Sequence, residues 1–274
     1  MSRDILFLEP TPADARIGYG PDPLQFGDLR VPADPGLHPV VVVVHGGFWR
    51  AQYDLAHVSH LCTDLTARGV ATWSLEYRRL GQPFGGWPGT FHDVALGADA
   101  LRDIAPAYDL DLTRVATVGH SAGGQLALWL AGRHRLPPAS PLASPSPLPI
   151  RWAVALAGVV DLRLAWELNL GDGVVPHFMG GPPSAVPERY AAGSPIELLP
   201  LGVRQTLVHG TDDAAVPIEL SDRYVERAAE LGDPATLVAL EGAGHFEVID
   251  PRADEWEAVA ATVLAPLRPA EQDV

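Results

Sequence analysis

A serine between two glycines is the clearest sign of chemistry in this chain. The segment Gly119–Gly123 has the sequence Gly-His-Ser-Ala-Gly, with a strand-like apolar run before it and a helix-forming run after it. On a sharp turn from strand to helix, Ser121 takes a strained backbone conformation that lifts its hydroxyl to the carboxyl edge of a sheet. The flanking glycines let the strand and the helix pass closely. We therefore predict that Ser121 is a nucleophile.

A nucleophilic serine needs a base and an acid that orients the base. After Ser121, a buried-strand pattern runs into Asp212 and Asp213, and His245 follows on a glycine-rich loop late in the chain. Nucleophile, acid and base in this order form a known type of triad. We choose Asp213 as the acid because the pattern His-Gly-x-x-Asp-x-x-Val-Pro fits it. Asp212, expected in solvent or capping the turn, and Asp161, expected to line the pocket or cap a helix, are the alternatives.

Backbone donors for a developing oxyanion are expected at the end of the first long strand. The valine run 40–44 is typical of a strand buried on both faces, and it leads into His45–Trp49, which has the sequence His-Gly-Gly-Phe-Trp. A Gly-Gly pair there allows backbone N–H groups to point into a cleft. We predict that Gly47, Phe48 and Ala122 donate to the oxyanion.

The remaining histidines are expected to serve the structure around the site. The chain has ten histidines. Besides His245, we expect His45 to hold the oxyanion loop by hydrogen bonds, because it ends the buried strand. His120 and His209 adjoin the nucleophile and the acid strand, and we expect them to pack beside the reacting groups.

Strand-like and helix-like segments alternate along the chain, which predicts an α/β fold with a mostly parallel central sheet and helices on both faces. We predict at least six strands, with the long ones at 40–44, 70–77, 115–118, 153–156, 206–208 and 237–240. The predicted helices are 54–68, 90–105, 218–231 and 252–267.

We interpret residues 1–274 as a single domain with two departures from this alternation. Residues 1–38 are predicted to be an irregular lead-in with one or two edge strands. Residues 162–200 follow a strand end on the side of the site and are predicted to form a small lid-like insertion. Three aromatic residues of that insertion are candidates for a lid: Trp166, Phe178 and Tyr190.

Composition and charge indicate which partners and which cellular location to expect. The formal net charge of −15 argues against a nucleic-acid partner, which requires a basic surface. No apolar stretch approaches the roughly 20 residues that span a bilayer, so no membrane partner is expected. The single cysteine, Cys62, excludes an intrachain disulfide and favours a cytoplasmic location. No metal-binding motif is present, and a homodimer is the most common assembly for such a chain.

The motifs resemble those of α/β-hydrolases of the esterase and kynurenine-formamidase-like group. The resemblance extends over about residues 18–250 and rests on His45–Trp49, Glu76–Arg79, Gly119–Gly124, His209–Asp213 and Gly244–His245. It implies the α/β-hydrolase fold and acyl transfer through a covalent enzyme intermediate, with no cofactor. Related lipases carry a third glycine where this chain has Phe48, which favours the formamidase-like branch without excluding ester hydrolysis.

The substrate class stays open between a small ester and a formamide. A carboxylesterase is the first hypothesis, and an arylformamidase acting on N-formylkynurenine-type compounds is the second. A peptidase and a non-catalytic binding module are lesser alternatives. We expect Trp49 and Phe246 to contact the substrate, because both are aromatic neighbours of predicted site residues.

Overall fold

An eight-stranded sheet forms the centre of the protein, in a computed structural model that describes residues 2–267. Met1 and residues 268–274, which the predicted single domain includes, lie outside the described residues. The strands are β1 Ala15–Gly18, β2 Phe26–Arg30, β3 His38–Val44, β4 Ala71–Leu75, β5 Leu110–His120, β6 Trp152–Leu156, β7 Arg204–Gly210 and β8 Ala235–Leu240. Their spatial order is β1-β2-β4-β3-β5-β6-β7-β8.

The strand directions confirm the mostly parallel sheet. Every neighbouring pair in the spatial order β4-β3-β5-β6-β7-β8 is parallel, whereas β2 runs antiparallel to both β1 and β4. The lead-in therefore supplies two strands at one side of the sheet, as predicted. Because parallel strands end at the same edge, the segments that follow β3, β5, β7 and β8 meet there.

Helices cover both faces of the sheet. They are α1 Ser59–Ala67, α2 Gly89–Asp99, α3 Leu101–Ile104, α4 Ala122–Gly132, α5 Leu162–Glu167, α6 Leu170–Met179, α7 Pro187–Gly193, α8 Pro195–Leu198, α9 Glu219–Glu230 and α10 Trp256–Leu264. Short 3₁₀ helices occur at Ser2–Phe7, Leu55–Val58, Ala105–Ala107, Arg133–Arg135, Glu247–Ile249 and Ala265–Leu267. None of the helices described here is long and apolar enough to cross a membrane.

The valines of β3 show how the two layers arise. Side chains alternate along a strand, so Val40, Val42 and Val44 join the core under α2, α4 and α9. Val41 and Val43 join the opposite core under α1 and α10. All five are buried, which explains the continuous β-branched run.

The last helix begins later than the sequence predicts. We expected it over 252–267, but α10 begins at Trp256. The Asp250 carboxylate accepts the backbone N–H of Arg252 at 3.0 Å and the Arg252 guanidinium as well. This local side-chain bonding favours a turn over a helix, so the chain enters the helix one turn later.

The segment 162–200 folds into the four helices α5–α8. Phe178 and Tyr190 are fully buried, and only Trp166 among its three aromatic residues is exposed. Phe178 stacks on Trp49 with ring centroids 4.3 Å apart. Two of the three residues that we expected in a lid therefore pack in the core, because their rings complete the hydrophobic layer above the sheet.

Candidate active site

Ser121 lies on the turn between β5 and α4. Its backbone angles, φ 55° and ψ −120°, place it in a region that residues with a side chain rarely occupy. Such a conformation costs on the order of 1–3 kcal/mol and persists only where the surroundings impose it. Here the Ser121 N–H donates to the Leu156 carbonyl at 2.8 Å, and the Val159 N–H donates to the Ser121 carbonyl at 3.1 Å. The last residue of β6 and a residue of the segment that follows it thus hold the turn.

The two glycines of the motif are required by close packing. A Cβ atom on Gly119 would lie 2.0 Å from the carbonyl oxygen of Gly123. A Cβ atom on Gly123 would lie 2.1 Å from the carbonyl oxygen of Val44. Both contacts are with backbone, which cannot move aside cheaply. The glycines therefore let α4 start directly against β3 and β5, as the spacing predicts.

His245 and Asp213 form a hydrogen-bonded pair at the same edge of the sheet. His245 Nδ1 lies 2.7 Å from Asp213 Oδ2. Because a carboxylate accepts, Nδ1 carries a proton, which in the neutral imidazole leaves the lone pair on Nε2. Asp212 is exposed, and Asp161 caps α5 by accepting the N–H groups of Arg163 and Leu164. Of the three candidate acids, Asp213 is thus the one that contacts His245.

Asp213 is held as a carboxylate by its surroundings. Burial alone would raise its pKa, but hydrogen bonds from His209 and His245 and from the backbone N–H of Val216 outweigh burial and lower the pKa well below its usual range. Its other oxygen, Oδ1, accepts the N–H groups of Ala215 and Val216 at 2.8 and 2.9 Å. His209 Nε2 donates to the Val216 carbonyl at 2.8 Å, and its Nδ1 accepts from the Ser221 hydroxyl at 2.7 Å, so His209 packs behind the acid.

The loop after β3 has an unusual backbone. Gly47, Phe48 and Trp49 all have positive φ values, of 109°, 49° and 54°. Phe48 and Trp49 adopt this conformation at a cost, since left-handed backbone is unfavourable for residues with a Cβ atom. Within residues 2–267, the N–H groups of Gly47, Phe48 and Ala122 have no hydrogen-bond acceptor. They are thus free to receive an external oxygen.

A buried cluster of His45, Glu76, Tyr77 and Arg79 holds this loop by hydrogen bonds and an ion pair. His45 Nδ1 lies 2.8 Å from the Gly46 carbonyl, and the Tyr77 hydroxyl donates to the His45 carbonyl at 2.7 Å. The Arg79 guanidinium bridges His45 Nε2, at 3.1 Å, and the Glu76 carboxylate, at 2.5 Å. The prediction that His45 holds the loop by hydrogen bonds agrees with these contacts.

A cleft of about 430 Å³ is lined by five of the predicted site residues, namely Ser121, His245, Gly47, Phe48 and Phe246. Its apolar and aromatic lining consists of Leu6, Phe7, Phe48, Tyr53, Ala215 and Phe246. Its remaining lining consists of Gly47, Gln52, His57, His120, Ser121 and His245. No arginine, aspartate or glutamate of the described chain is among these lining residues. Ser121 and His245 face the same space but are not hydrogen-bonded to each other, an arrangement common in enzymes without substrate.

Trp49 and Phe246, the two aromatic residues that we expected to contact substrate, occupy different places. Phe246 lines the cleft. Trp49 is fully buried, and its Nε1–H donates to Gln125 Oε1 at 3.1 Å. The expectation for Trp49 is therefore corrected: its positive φ turns the side chain into the core, where it stacks on Phe178.

Sequence reasoning missed several residues of the cleft. Leu6 and Phe7 were expected in an irregular lead-in, yet both line the cleft. His57 and Tyr53 carry no motif that distinguishes them from other residues of their type. The one available signal for the first pair was an apolar run, Ile5–Leu8, near the start of an otherwise polar and proline-rich segment.

His120 and His57 are kept neutral beside the predicted base. Burial, followed by the neighbouring His245 and His57, lowers the pKa of His120 well below its usual value. Burial and then His45 lower the pKa of His57 to about 3. His120 Nε2 donates to the His245 carbonyl at 2.8 Å, which fixes the loop that carries His245. The described residues contain no cluster of side chains suited to hold a metal ion.

Comparison with known proteins identifies the family. The BD-FAE family model matches residues 28–227, which is most of the chain. The chain belongs to the BD-FAE family. The matched range begins within β2 and contains β3–β7, the His45–Trp49 loop, Ser121 and Asp213, and it ends before His245.

Two curated relatives of this BD-FAE member are named as esterases. A probable isoprenylcysteine alpha-carbonyl methylesterase from Oryza sativa subsp. japonica is 27% identical over 246 residues, which cover 84% of this chain and 57% of the relative. Esterase LipC from Mycobacterium tuberculosis is 29% identical over 255 residues, which cover 86% of this chain and 60% of the relative. The chain thus spans a little over half the length of these relatives.

Solved structures show the same α/β-hydrolase fold. A truncated carbohydrate esterase from gut microbiota superposes with a TM-score of 0.80 at 19% identity, covering 94% of this chain and 97% of that one. Esterase B from Lactobacillus rhamnosis, bound to an inhibitor, superposes with a TM-score of 0.81 at 19% identity, covering 97% and 90%. At this identity the likeness establishes the fold.

Proposed function

We propose that this BD-FAE member is a serine carboxylesterase that cleaves a small, neutral carboxylic ester. The observation that carries the proposal is the shared cleft, in which the strained Ser121 turn, the His245–Asp213 pair and unpaired N–H groups lie around one space. The esterase names of the relatives agree with this reaction class. In this proposal residues 1–274 act as one catalytic domain, with 162–200 as its cap.

The first step of the proposed reaction forms an acyl-enzyme. Ser121 Oγ attacks the ester carbonyl while His245 Nε2 takes the hydroxyl proton. Asp213 keeps His245 in the tautomer with the proton on Nδ1 and stabilises the imidazolium that forms. The negative charge on the former carbonyl oxygen is received by the N–H groups of Gly47, Phe48 and Ala122. The acyl-enzyme is complete once the bond from the carbonyl carbon to the alcohol oxygen breaks and His245 gives its proton to the departing alcohol.

The second step returns the enzyme to its starting state, and in it His245 takes a proton from water. The water oxygen attacks the acyl carbonyl, the bond to Ser121 Oγ breaks, and His245 reprotonates the serine. The products are one alcohol and one carboxylic acid, and no cofactor takes part.

Charge distinguishes the ester from the formamide alternative. N-formylkynurenine carries an α-carboxylate and an α-ammonium group, and burying such charges in a cleft is favourable when side chains of opposite charge pair with them. Arginine, aspartate and glutamate are absent from the lining of the cleft in the described chain. We therefore favour a neutral ester over the amino-acid formamide.

The test compares the two substrates directly. We would measure kcat/KM for p-nitrophenyl butyrate and for N-formylkynurenine, with Ser121→Ala as the blank for both. The proposal expects the ester to be preferred, and a preference for the formamide by orders of magnitude would replace it with an arylformamidase. Labelling of Ser121 by a fluorophosphonate probe separates an enzyme from a non-catalytic binding module, because the probe reacts only with an activated serine.

A further inference from the structure

The N-terminal 3₁₀ helix, Ser2–Phe7, reaches the cleft from outside the motifs that define the site. Leu6 and Phe7 line the cleft together with Ser121 and His245. These two residues precede the first strand, whereas Ser121 follows the fifth. No step of the proposed reaction uses them.

Ile5 anchors this helix in the core. Its side chain is 1% exposed, and it belongs to the same buried hydrophobic cluster as Leu55 and Val58. The neighbouring Phe7 is 84% exposed. The helix thus buries one apolar residue and presents another, two positions on, at the mouth of the cleft.

Hydrogen bonds to α1 fix the chain on the other side of Phe7. His60 Nε2 donates to the Glu9 carbonyl at 3.0 Å. The Thr11 N–H donates to Ser59 Oγ at 3.1 Å, and the Thr11 hydroxyl donates to the Ser59 carbonyl at 2.9 Å. Anchors at residue 5 and at residues 9–11 therefore hold Phe7 in a defined place.

The exposed fraction of the lining residues increases from the floor of the cleft to its rim. Ser121 at the floor is 1% exposed, whereas Phe7 at the rim is almost fully exposed. An acyl group as small as acetyl or an alcohol group as small as ethyl stays at the floor. Only a longer apolar group extends from the serine to the rim, and by covering Phe7 it removes apolar surface from water.

We propose that Leu6 and Phe7 form an apolar wall that determines specificity for neutral esters with an acyl group larger than acetyl or an alcohol group larger than ethyl. This inference rests on the proposed esterase function. The wall binds the non-reacting part of the substrate, so it contributes mainly to KM for large esters and little to the chemistry of small ones.

Three esters test the wall: ethyl acetate, which is small on both sides, ethyl hexanoate, which is large on the acyl side, and benzyl acetate, which is large on the alcohol side. In Phe7→Ala we expect kcat/KM for at least one large ester to fall about tenfold relative to ethyl acetate. Phe7→Trp, which keeps an aromatic surface, should retain the preference. Leu6→Ala should weaken it in the same direction.

Phe84→Ala is the matched control. Phe84 is also an exposed phenylalanine, at 78%, and it does not line the cleft. Its removal should leave both ratios to ethyl acetate unchanged. The side of the ester that responds to Phe7→Ala identifies which group the wall contacts.

Two results would overturn the inference in distinguishable ways. If the unmodified protein hydrolyses ethyl acetate and Phe7→Ala changes neither ratio by more than twofold, the wall is refuted and the esterase proposal stands. If the unmodified protein hydrolyses none of the three esters and a fluorophosphonate leaves Ser121 unlabelled, the proposed function fails, and the wall with it.

Discussion

Two buried carboxylate–histidine pairs lie at the carboxyl edge of the sheet, and they have opposite surroundings. In one, Asp213 and His245 follow β7 and β8, with 2.7 Å between Oδ2 and Nδ1. In the other, His45 and Glu76 follow β3 and β4, with 3.4 Å between Nε2 and Oε1. Sequence position alone makes both pairs look similar, since each histidine ends or follows a strand.

The difference lies in what the two ring nitrogens contact. His45 donates from Nδ1 to Gly46, and its Nε2 accepts from Arg79, so neither nitrogen is available to a substrate. His245 donates from Nδ1 to Asp213, and its Nε2 has no partner among the described residues. A carboxylate beside a histidine thus makes a base only when the far nitrogen faces a cleft. The pair of His45 and Glu76, whose ring nitrogens are both occupied, stabilises the structure instead.

Replacing Ser121 should have the largest effect on activity, because it removes the nucleophile that the His245–Asp213 pair would serve. Ser121→Ala should lower kcat by about 10⁶-fold, because the triad acts as a unit and loses its nucleophile. The thermal unfolding midpoint should change little, since the serine side chain makes no hydrogen bond within the described chain. Activity within a hundredfold of the unmodified protein would end the serine-hydrolase proposal.

Asp213→Asn tests whether the carboxylate orients His245, because the substitution should leave the turn around residue 213 in place. The amide oxygen can still accept the N–H groups of Ala215 and Val216, so the turn should persist. The amide cannot hold His245 as the carboxylate does, and we expect kcat to fall about 10⁴-fold. Asp212→Asn, the adjacent exposed aspartate, is the control. An equal loss in both variants would contradict the choice of acid.

Glu76→Gln alters the other pair, His45 and Glu76, and its main effect should be a loss of stability. Removing this charge leaves the buried Arg79 guanidinium without its ionic partner, which typically costs about 3–5 kcal/mol of unfolding free energy. We would measure urea unfolding, with Glu257→Gln as the control because Glu257 pairs with Arg68 at the surface. If Glu76→Gln were as stable as the unmodified protein, the supporting role of the cluster would be wrong.

Acid should weaken the protein through His57, whose ring lies near those of His45 and His120. Its ring is 5.8 Å from that of His45 and 6.2 Å from that of His120. The fold holds the pKa of His57 at about 3, so the unfolded chain takes up the proton first as the pH falls below about 6.5. His57 alone should then lower the free energy of unfolding by about 2 kcal/mol between pH 6.5 and pH 5.

The pH effect can be assigned by substitution. His57→Gln should reduce the slope of unfolding free energy against pH in this interval, and His120, whose pKa is also lowered, accounts for part of the remainder. His245, Glu76 and Asp213 are the other titratable groups near these rings. His177→Gln, at an exposed histidine, is the control. An unchanged slope in His57→Gln would show that His57 is not held neutral.

Much of the fold could be predicted because its signals are local. The five consecutive valines at 40–44 require burial on both sides, and the structure places them between two helical layers. The glycine spacing around Ser121 requires close passage of α4, and the structure has it. The late start of α10 was missed because one aspartate, Asp250, holds a turn that the apolar pattern does not reveal.

The sequence by itself determined the type of sheet, the serine turn and the order of the candidate triad, since strand pattern and turn chemistry depend on neighbouring residues. Tertiary structure decided which side chains share the cleft. Trp49 belongs to the His45–Trp49 loop but stacks on Phe178 in the core, whereas Phe7, far away in sequence, lines the same cleft as Ser121. Those placements depend on contacts between distant segments, and a pattern along one chain does not encode them directly.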